Sequence, residues 1–66
     1  MRQPHTPPLT TPKAAEYLSV RPGTLEVWRT QGKGPRFVRL GRAVRYRCKD
    51  LDEFLERNLM AHTSEV

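Results

Sequence analysis

Apolar residues recur at helical spacing in three stretches of this chain, and in a fourth stretch they alternate with basic residues. The first stretch, "TPKAAEYL", places Ala14, Ala15 and Leu18 on one face of a short helix. Thr11 can cap this helix. Pro12 suits its first position because proline lacks the N–H that has no intrahelical partner there. The pattern predicts a helix that begins at residues 11–12 and is broken by "SVRP".

A second helix is predicted to follow that break. Pro22 begins it, and Leu25 and Trp28, three residues apart, share its buried face. Gly32 suits the left-handed residue that ends a helix, and Pro35 prevents its continuation. Trp28 is therefore expected in the core, although tryptophan can also stack on bases.

Residues 36–49 alternate about a Gly41-Arg42-Ala43 turn, which predicts a two-stranded hairpin. The even-numbered apolar residues are expected to pack onto the helices, namely Val38, Leu40, Val44 and Tyr46. Three odd-numbered arginines are expected to point outward together, namely Arg39, Arg45 and Arg47. Arg42 would lie at the tip, and Phe37 shares the parity of the arginines without an assigned place. A row of like charges costs stability unless a polyanion neutralises it.

The last stretch, "KDLDEFLERNL", again has helical spacing, through Leu51, Phe54, Leu55 and Leu59. Three acidic residues are expected in its first turn, where the helix dipole favours them, namely Asp50, Asp52 and Glu53. The fold class is then α+β, mostly α, in the order helix, helix, β-hairpin, helix. This domain spans residues 9–59, between a disordered arm at 1–8 and a flexible tail at 60–66.

The first two helices have the spacing of a helix-turn-helix. Such a motif needs a small residue where the helices cross, a tight turn about four positions later, and two buried apolar residues beyond the turn. Ala15, Ser19, Leu25 and Trp28 fit this register, although glycine is more usual than serine at the turn. Leu18 and Val20 would flank the turn as core residues.

The charge is concentrated in the middle of the chain. The net charge is +5, yet residues 21–49 hold nine basic residues and one acidic residue, whereas residues 50–66 have a net charge of −4. A concentrated basic segment is typical of proteins that bind polyanions. A solvated charged surface is the alternative, and the segregation of the two signs favours a polyanion binder over it.

Other classes of protein find little support in the sequence. One cysteine, Cys48, and two distant histidines, His5 and His62, provide neither a disulfide nor the four paired ligands of a zinc site. No nucleophile with a supporting base and no Gly-rich loop leading into a helix is present. No apolar run approaches the roughly 20 residues of a membrane span. We expect a non-enzyme without metal or cofactor, in the cytoplasm.

Residues 9–55 resemble the small excisionase-type helix-turn-helix domains of phages and mobile elements, which have the MerR-like winged-helix fold. The stretches that carry the resemblance are "TLEVWR", "GPRFVRLG" and "VRYRCKDLDEFL". The resemblance implies that the second helix binds the major groove and that the hairpin, called the wing, enters the minor groove. It also implies binding to several adjacent sites, DNA bending, and redirection of an integrase toward excision. The Arg-rich, Lys-poor composition suits a phage with a high-GC genome, such as a mycobacteriophage.

With this docking, the side of the second helix opposite Leu25 and Trp28 faces DNA. The candidate DNA contacts on that helix and on the wing are Arg21, Gly23, Thr24, Glu26, Val27, Arg29, Thr30, Arg39, Arg42, Arg45 and Arg47. Glu26 could accept from a cytosine amino group, Val27 could contact a thymine methyl group, and Thr24 could bind phosphate. Arg29 could reach phosphate or remain a solvated charge. The set on the second helix is poor in side chains that make bidentate base contacts, which argues against strong base specificity.

The sequence thus predicts an excisionase, or recombination directionality factor, that binds and bends double-stranded DNA near an attachment site. Its expected partners are an integrase and other copies of itself on DNA, with no membrane or small-molecule ligand. A small phage or prophage transcription regulator with the same domain is the alternative, and the two functions can coexist. In a different class, the basic surface would dock an acidic protein.

Overall fold

The computed structural model describes residues 6–60, and these form three helices and one antiparallel hairpin in the predicted order. The elements are α1 (Thr11–Leu18), α2 (Pro22–Gln31), β1 (Val38–Leu40), β2 (Ala43–Arg45) and α3 (Cys48–Arg57). The architecture is a small, mostly helical winged helix-turn-helix, as predicted. Most of the arm and tail expected at 1–8 and 60–66 lies outside the described residues, so that division of the chain stays a prediction.

Helix α1 is capped one residue earlier than the sequence suggested. Thr10, not Thr11, has the extended cap conformation, and its Oγ1 accepts a 3.5 Å hydrogen bond from the backbone N–H of Lys13. Thr11 is the first helical residue and Pro12 the second, where the missing N–H still costs no intrahelical bond. The hydroxyl of Thr11 is thereby left free for a contact with α2, described below.

The turn between α1 and α2 has the helix-turn-helix geometry that the spacing predicted. Ser19 ends α1 in the left-handed conformation, with φ 60° and ψ 41°. The next residue, Val20, donates its N–H to the carbonyl oxygen of Ala15 at 2.9 Å, which closes the turn. Ala15 and Leu25 are each only 1% exposed where α1 packs against α2. The predicted register of the motif is therefore confirmed.

The faces of the hairpin are not those that the parity of the sequence suggested. Val38 lies opposite Arg45, Arg39 opposite Val44, and Leu40 opposite Ala43. The loop has two residues, so opposed residues have opposite parity, and residues directly opposite each other share a face. The even-numbered residues consequently divide between the two faces. Val44 packs against the core, whereas Leu40 is 56% exposed on the other face.

The corrected register gives Phe37 a place. Phe37 packs on the core from the same side as Val44, with its ring centroid 6.0 Å from that of Tyr46. Tyr46 is 1% exposed and exchanges two backbone hydrogen bonds with Leu9, of 2.7 and 2.8 Å. This isolated bridge ties the segment before α1 to the hairpin, which extends the small core without a third strand.

Helix α3 begins at Cys48, with Arg47 at its cap position. Of the three acidic residues expected in its first turn, only Asp50 lies there, and Asp52 and Glu53 fall in the second turn. The core contacts of α3 come from Leu51, which is fully buried, and from Phe54, whose ring centroid is 5.4 Å from that of Trp28.

The expected apolar face of α3 is narrower than predicted. At 100° per residue, Leu55 lies about 40° from Leu51 on the side away from Phe54. Leu55 is consequently 45% exposed, and Leu59, beyond the end of the helix, is exposed as well. The core therefore includes the first two turns of α3 but not its last.

A hydrogen bond of 2.5 Å from the Tyr17 hydroxyl group to the Asp52 carboxylate joins α1 to α3 at the surface. The Asp52 carboxylate accepts this hydrogen bond from the protonated phenol. The bond therefore favours the protonated form and raises the pKa of Tyr17 above its ordinary value. Asp52 is therefore partly engaged within the fold, while Tyr17 remains substantially exposed beside it.

Candidate nucleic-acid interface

The basic segment at residues 21–49 forms an exposed surface made by α2, the loop after it and the hairpin. Its exposed basic side chains are Arg21, Lys33, Arg36, Arg39, Arg42, Arg47 and Lys49. Within residues 6–60 the only ion pair joins Arg47 to Asp50. The other cations of the segment have no acidic partner in the described part of the chain, which leaves their charge available to a polyanion.

The outward side of α2 is shallow and largely apolar. Of the candidate contact residues there, Arg21, Gly23, Glu26, Val27 and Thr30 are exposed, as predicted for a groove-facing side. An open groove along the start of the helix is lined by Arg21, Pro22, Gly23, Thr24, Val27 and Trp28. Thr24 is half-buried in this groove. Trp28 packs against the core, as predicted, and also lines this groove.

Two polar side chains on this side of α2 differ in what they offer a ligand. The Thr30 hydroxyl group donates a 3.1 Å hydrogen bond to the carbonyl oxygen of Glu26, so its proton is already used within the helix. The Glu26 carboxylate makes no hydrogen bond or ion pair with any other described residue. Glu26 is therefore the one carboxylate within α2, and both of its oxygens are free to accept hydrogen bonds.

Arg29 has a role that the sequence did not predict. Its Nη1 donates to the Tyr46 hydroxyl oxygen at 2.8 Å and to Thr11 Oγ1 at 3.3 Å. Its Cζ lies 5.8 Å from the centroid of the Phe37 ring. The guanidinium therefore links α2 to α1 and to the hairpin, and a phosphate contact would require it to give up these partners. Its partners lie 17 and 18 residues away in sequence, so no local pattern could have identified them.

The arginines of the wing surround the hairpin instead of sharing one face. Arg39 lies on the core-facing side, above Phe37, with its Cζ 5.8 Å from the ring centroid. Arg45 lies on the opposite face, where its Nη1 donates to the carbonyl oxygen of Val44 at 2.8 Å. Arg42 is exposed at the tip, following Gly41, whose φ of 64° is typical of the first central residue of a type II′ turn. The expected single arginine face is thus wrong, whereas the tip position of Arg42 is confirmed.

Arg47 does not belong to the strand and holds the junction between the hairpin and α3. Its Nε and Nη2 donate to the two carboxylate oxygens of Asp50 at 2.7 and 3.0 Å. Asp50 is only 4% exposed, whereas about half of the Arg47 side chain remains accessible. The hydrogen bonds from Arg47, opposed by burial, hold the pKa of Asp50 below its ordinary value. Arg47 is therefore a structural residue whose outer side can still contact DNA.

The Arg47–Asp50 pair should make folding stability depend on pH. The pKa of Asp50 is depressed in the folded state, so the pair stabilises the fold above the ordinary Asp pKa of about 3.9. That stabilisation is lost as the pH falls through the lower, folded-state value. Asp50→Asn should lower the melting temperature at pH 7 and flatten the acid limb of the stability curve. Thermal melts between pH 2 and 7 test this.

The control for Asp50→Asn is Glu56→Gln, which removes one exposed carboxylate from the same helix and so matches the change in net charge. Glu56→Gln should keep the acid limb of the wild type. Parallel pH curves for Asp50→Asn and the wild type would show that the pair does not contribute to stability.

The turn geometry, the exposed side of α2 and the basic hairpin together define a winged helix-turn-helix protein that binds double-stranded DNA. The chain matches the helix-turn-helix domain family over residues 8–59, and it belongs to that family. The family includes DNA-binding domains of the excisionase type. Among curated proteins, no sequence matches the chain.

Two other features of residues 6–60 concern membranes and metal ions. None of the helices there combines the length and apolar character needed to cross a bilayer. No group of three or more His, Cys, Asp or Glu side chains in that part of the chain is placed to hold a metal ion.

Proposed function

We propose that this protein is an excisionase, a DNA-binding and DNA-bending accessory factor that directs an integrase toward excision of a phage or mobile element. The chain has the fold of its family, and its wing bears arginines on both faces and at the tip. Its second helix, the recognition helix, offers few side chains that read bases. Such a surface suits an architectural role, in which phosphate contacts and DNA shape contribute more than base readout. The protein acts by binding, not by catalysis.

The wing has the geometry for insertion between two phosphate strands. Arg39 and Arg45 point to opposite faces of the hairpin, and Arg42 lies between them at the tip. The walls of a minor groove are the two backbones, so one cation per face can meet each wall while the tip enters the groove. Leu40, exposed next to the turn, is of the apolar type that other minor-groove proteins press against base steps to bend DNA.

DNA binding is expected to depend steeply on salt, because phosphate contacts release counterions. The logarithm of affinity should fall by about 0.9 per neutralised phosphate for each tenfold rise in salt, giving a total slope on the order of −4 to −7. Fluorescence anisotropy with attachment-site DNA measures this slope. Lys13→Ala, which removes an exposed cation from α1, is the control and should leave the slope unchanged. A slope near zero would favour the protein-interaction module instead.

Several copies are expected to assemble cooperatively on adjacent sites, in a head-to-tail contact. The exposed side of α3 carries Glu53, Leu55 and Glu56, and the loop before the wing, which stays outside the groove in the proposed docking, carries the exposed cations Lys33 and Arg36. These two surfaces are complementary in charge. Titration of one site against three tandem sites should therefore show tighter binding per site on the array.

The charge-reversal variant Glu56→Lys should reduce this cooperativity while leaving single-site affinity the same or higher. Glu16→Lys, with the same charge change on an exposed position of α1, should preserve it. Equal affinity per site for the wild type would argue against cooperative assembly. A tight symmetric dimer without DNA would argue against the head-to-tail contact.

A phage transcription regulator with the same domain is the second candidate. An assay with integrase and both attachment-site substrates separates the two functions. An excisionase should stimulate excision and inhibit integration, whereas a regulator should change neither while shifting transcription from a nearby promoter.

A further inference from the structure

Within α2, the side that faces DNA offers methyl groups and one carboxylate, and the exposed cation Arg21 lies at the cap position before the helix. Val27 is 51% exposed there, next to the exposed Glu26. Arg29, the one basic residue within the helix, is held by Tyr46 and Thr11. Gln31 is the last helical residue, whereas the first turns of a recognition helix usually approach the base edges. Base readout by this helix therefore depends on apolar contact and on accepting hydrogen bonds.

The chemistry of these two side chains matches a particular feature of the major groove. Thymine carries a C5 methyl group there, and its partner adenine presents an amino donor in the same base pair. Unmodified cytosine presents an amino donor without a methyl group. In 5-methylcytosine the amino donor and the methyl group lie on adjacent ring atoms of the same edge. An apolar side chain beside a free carboxylate is complementary to such an edge.

We propose that Val27 and Glu26 read C5-methylated pyrimidines next to amino donors, so that DNA binding by this protein responds to cytosine methylation. The inference rests on the proposed docking of α2 in the major groove. Val27 and the neighbouring apolar groove, which Pro22 and Trp28 also line, remove the methyl group of the base from water, and this burial stabilises the complex. Glu26 accepts the amino hydrogen bond.

Glu26 also disfavours DNA sites that present no amino donor to it. A carboxylate near the DNA backbone is repelled by phosphate, so its presence weakens binding wherever no donor meets it. Guanine O6 and thymine O4 are acceptors and would be repelled by Glu26, whereas cytosine and adenine amino groups offset the repulsion. The side chain thereby adds selectivity at the expense of affinity for arbitrary DNA.

The test compares matched duplexes that contain a site located by footprinting. In one set the thymines of the protected major groove are replaced by uracil, and in a second set its cytosines are replaced by 5-methylcytosine. At constant salt we expect each lost thymine methyl contact to lower affinity about three- to fourfold, and each contacted 5-methylcytosine to raise it by a similar factor.

Two variants assign the effect to residues. Val27→Ala should make thymine and uracil duplexes bind alike and should remove the gain from 5-methylcytosine, with circular dichroism showing that it remains folded. Arg42→Ala, on the wing, should weaken binding to all duplexes and leave both methyl ratios unchanged. Methyl ratios that survive in Val27→Ala would overturn the assignment.

The outcomes also separate this inference from the proposed function. Undiminished binding to uracil duplexes, or weaker binding to methylated ones, with DNA binding otherwise intact, would overturn methyl reading alone. Failure to bind any duplex with a salt-dependent affinity would overturn the proposed function, and methyl reading with it.

Discussion

Trp28→Ala is expected to unfold most of the protein at room temperature. Trp28 packs against the ring of Phe54 and against Gly34, so it joins α2, α3 and the loop before the wing. Truncation of a core tryptophan costs about 3–5 kcal/mol, and a core in so short a chain rarely supplies more than about that amount. Circular dichroism and thermal melts should show loss of helical signal and of a cooperative transition.

Gly34→Ala tests the same contact from its other side. A methyl group at residue 34 would lie 3.0 Å from Cβ and Cε3 of Trp28, at a φ of 85° that alanine rarely adopts. The variant should be destabilised by about 1–3 kcal/mol, because the backbone strain adds to the displacement of the indole.

The control for both variants is Thr30→Ala. Thr30 is exposed and bonds only to the backbone of its own helix, so its removal should change stability by less than about 0.5 kcal/mol. A Trp28→Ala protein that stays folded but no longer binds DNA would mean that Trp28, which lines the α2 groove, stacks on DNA and is dispensable to the core.

Arg42→Ala should weaken DNA binding more than any other single arginine substitution in the wing. The positive φ of Gly41 turns the chain so that Arg42 projects from the tip, where it can enter the minor groove. The potential there is most negative in narrow A·T-rich grooves, so the loss should be about 1–3 kcal/mol and should be larger on A·T-rich flanks.

Arg39→Ala and Arg45→Ala are the matched comparisons, since each removes one cation from one face of the same hairpin. Each should weaken all sequences alike and lower the salt slope by about one. Arg47→Ala is less suitable, because it would also leave the buried Asp50 without its partner. Identical losses for all variants on A·T-rich and G·C-rich flanks would show that the hairpin is a diffuse basic surface outside the groove.

The sequence by itself determined the order of the elements and the helix-turn-helix register. Local signals were sufficient for these features: helical spacing for Leu25 and Trp28, proline at the start of α2, and a left-handed Gly32 at its end. The concentration of basic residues in the middle of the chain is likewise a property of the sequence, and it is typical of proteins that bind polyanions such as DNA.

Only the tertiary structure decided which of those basic residues are free. The prediction that even-numbered residues of the wing share one face was wrong, because across a two-residue loop each residue lies opposite a residue of the other parity. A loop one residue longer or shorter would move every side chain of one strand to the other face. Arg29 and Arg47 are engaged by Tyr46 and Asp50, through contacts that depend on how α2, the hairpin and α3 pack. The length and charge of an arginine side chain follow from the sequence, but the partner that its guanidinium meets depends on the fold. Because Arg29 is engaged by Tyr46, Glu26 and Val27 are prominent among the exposed side chains that α2 offers to DNA.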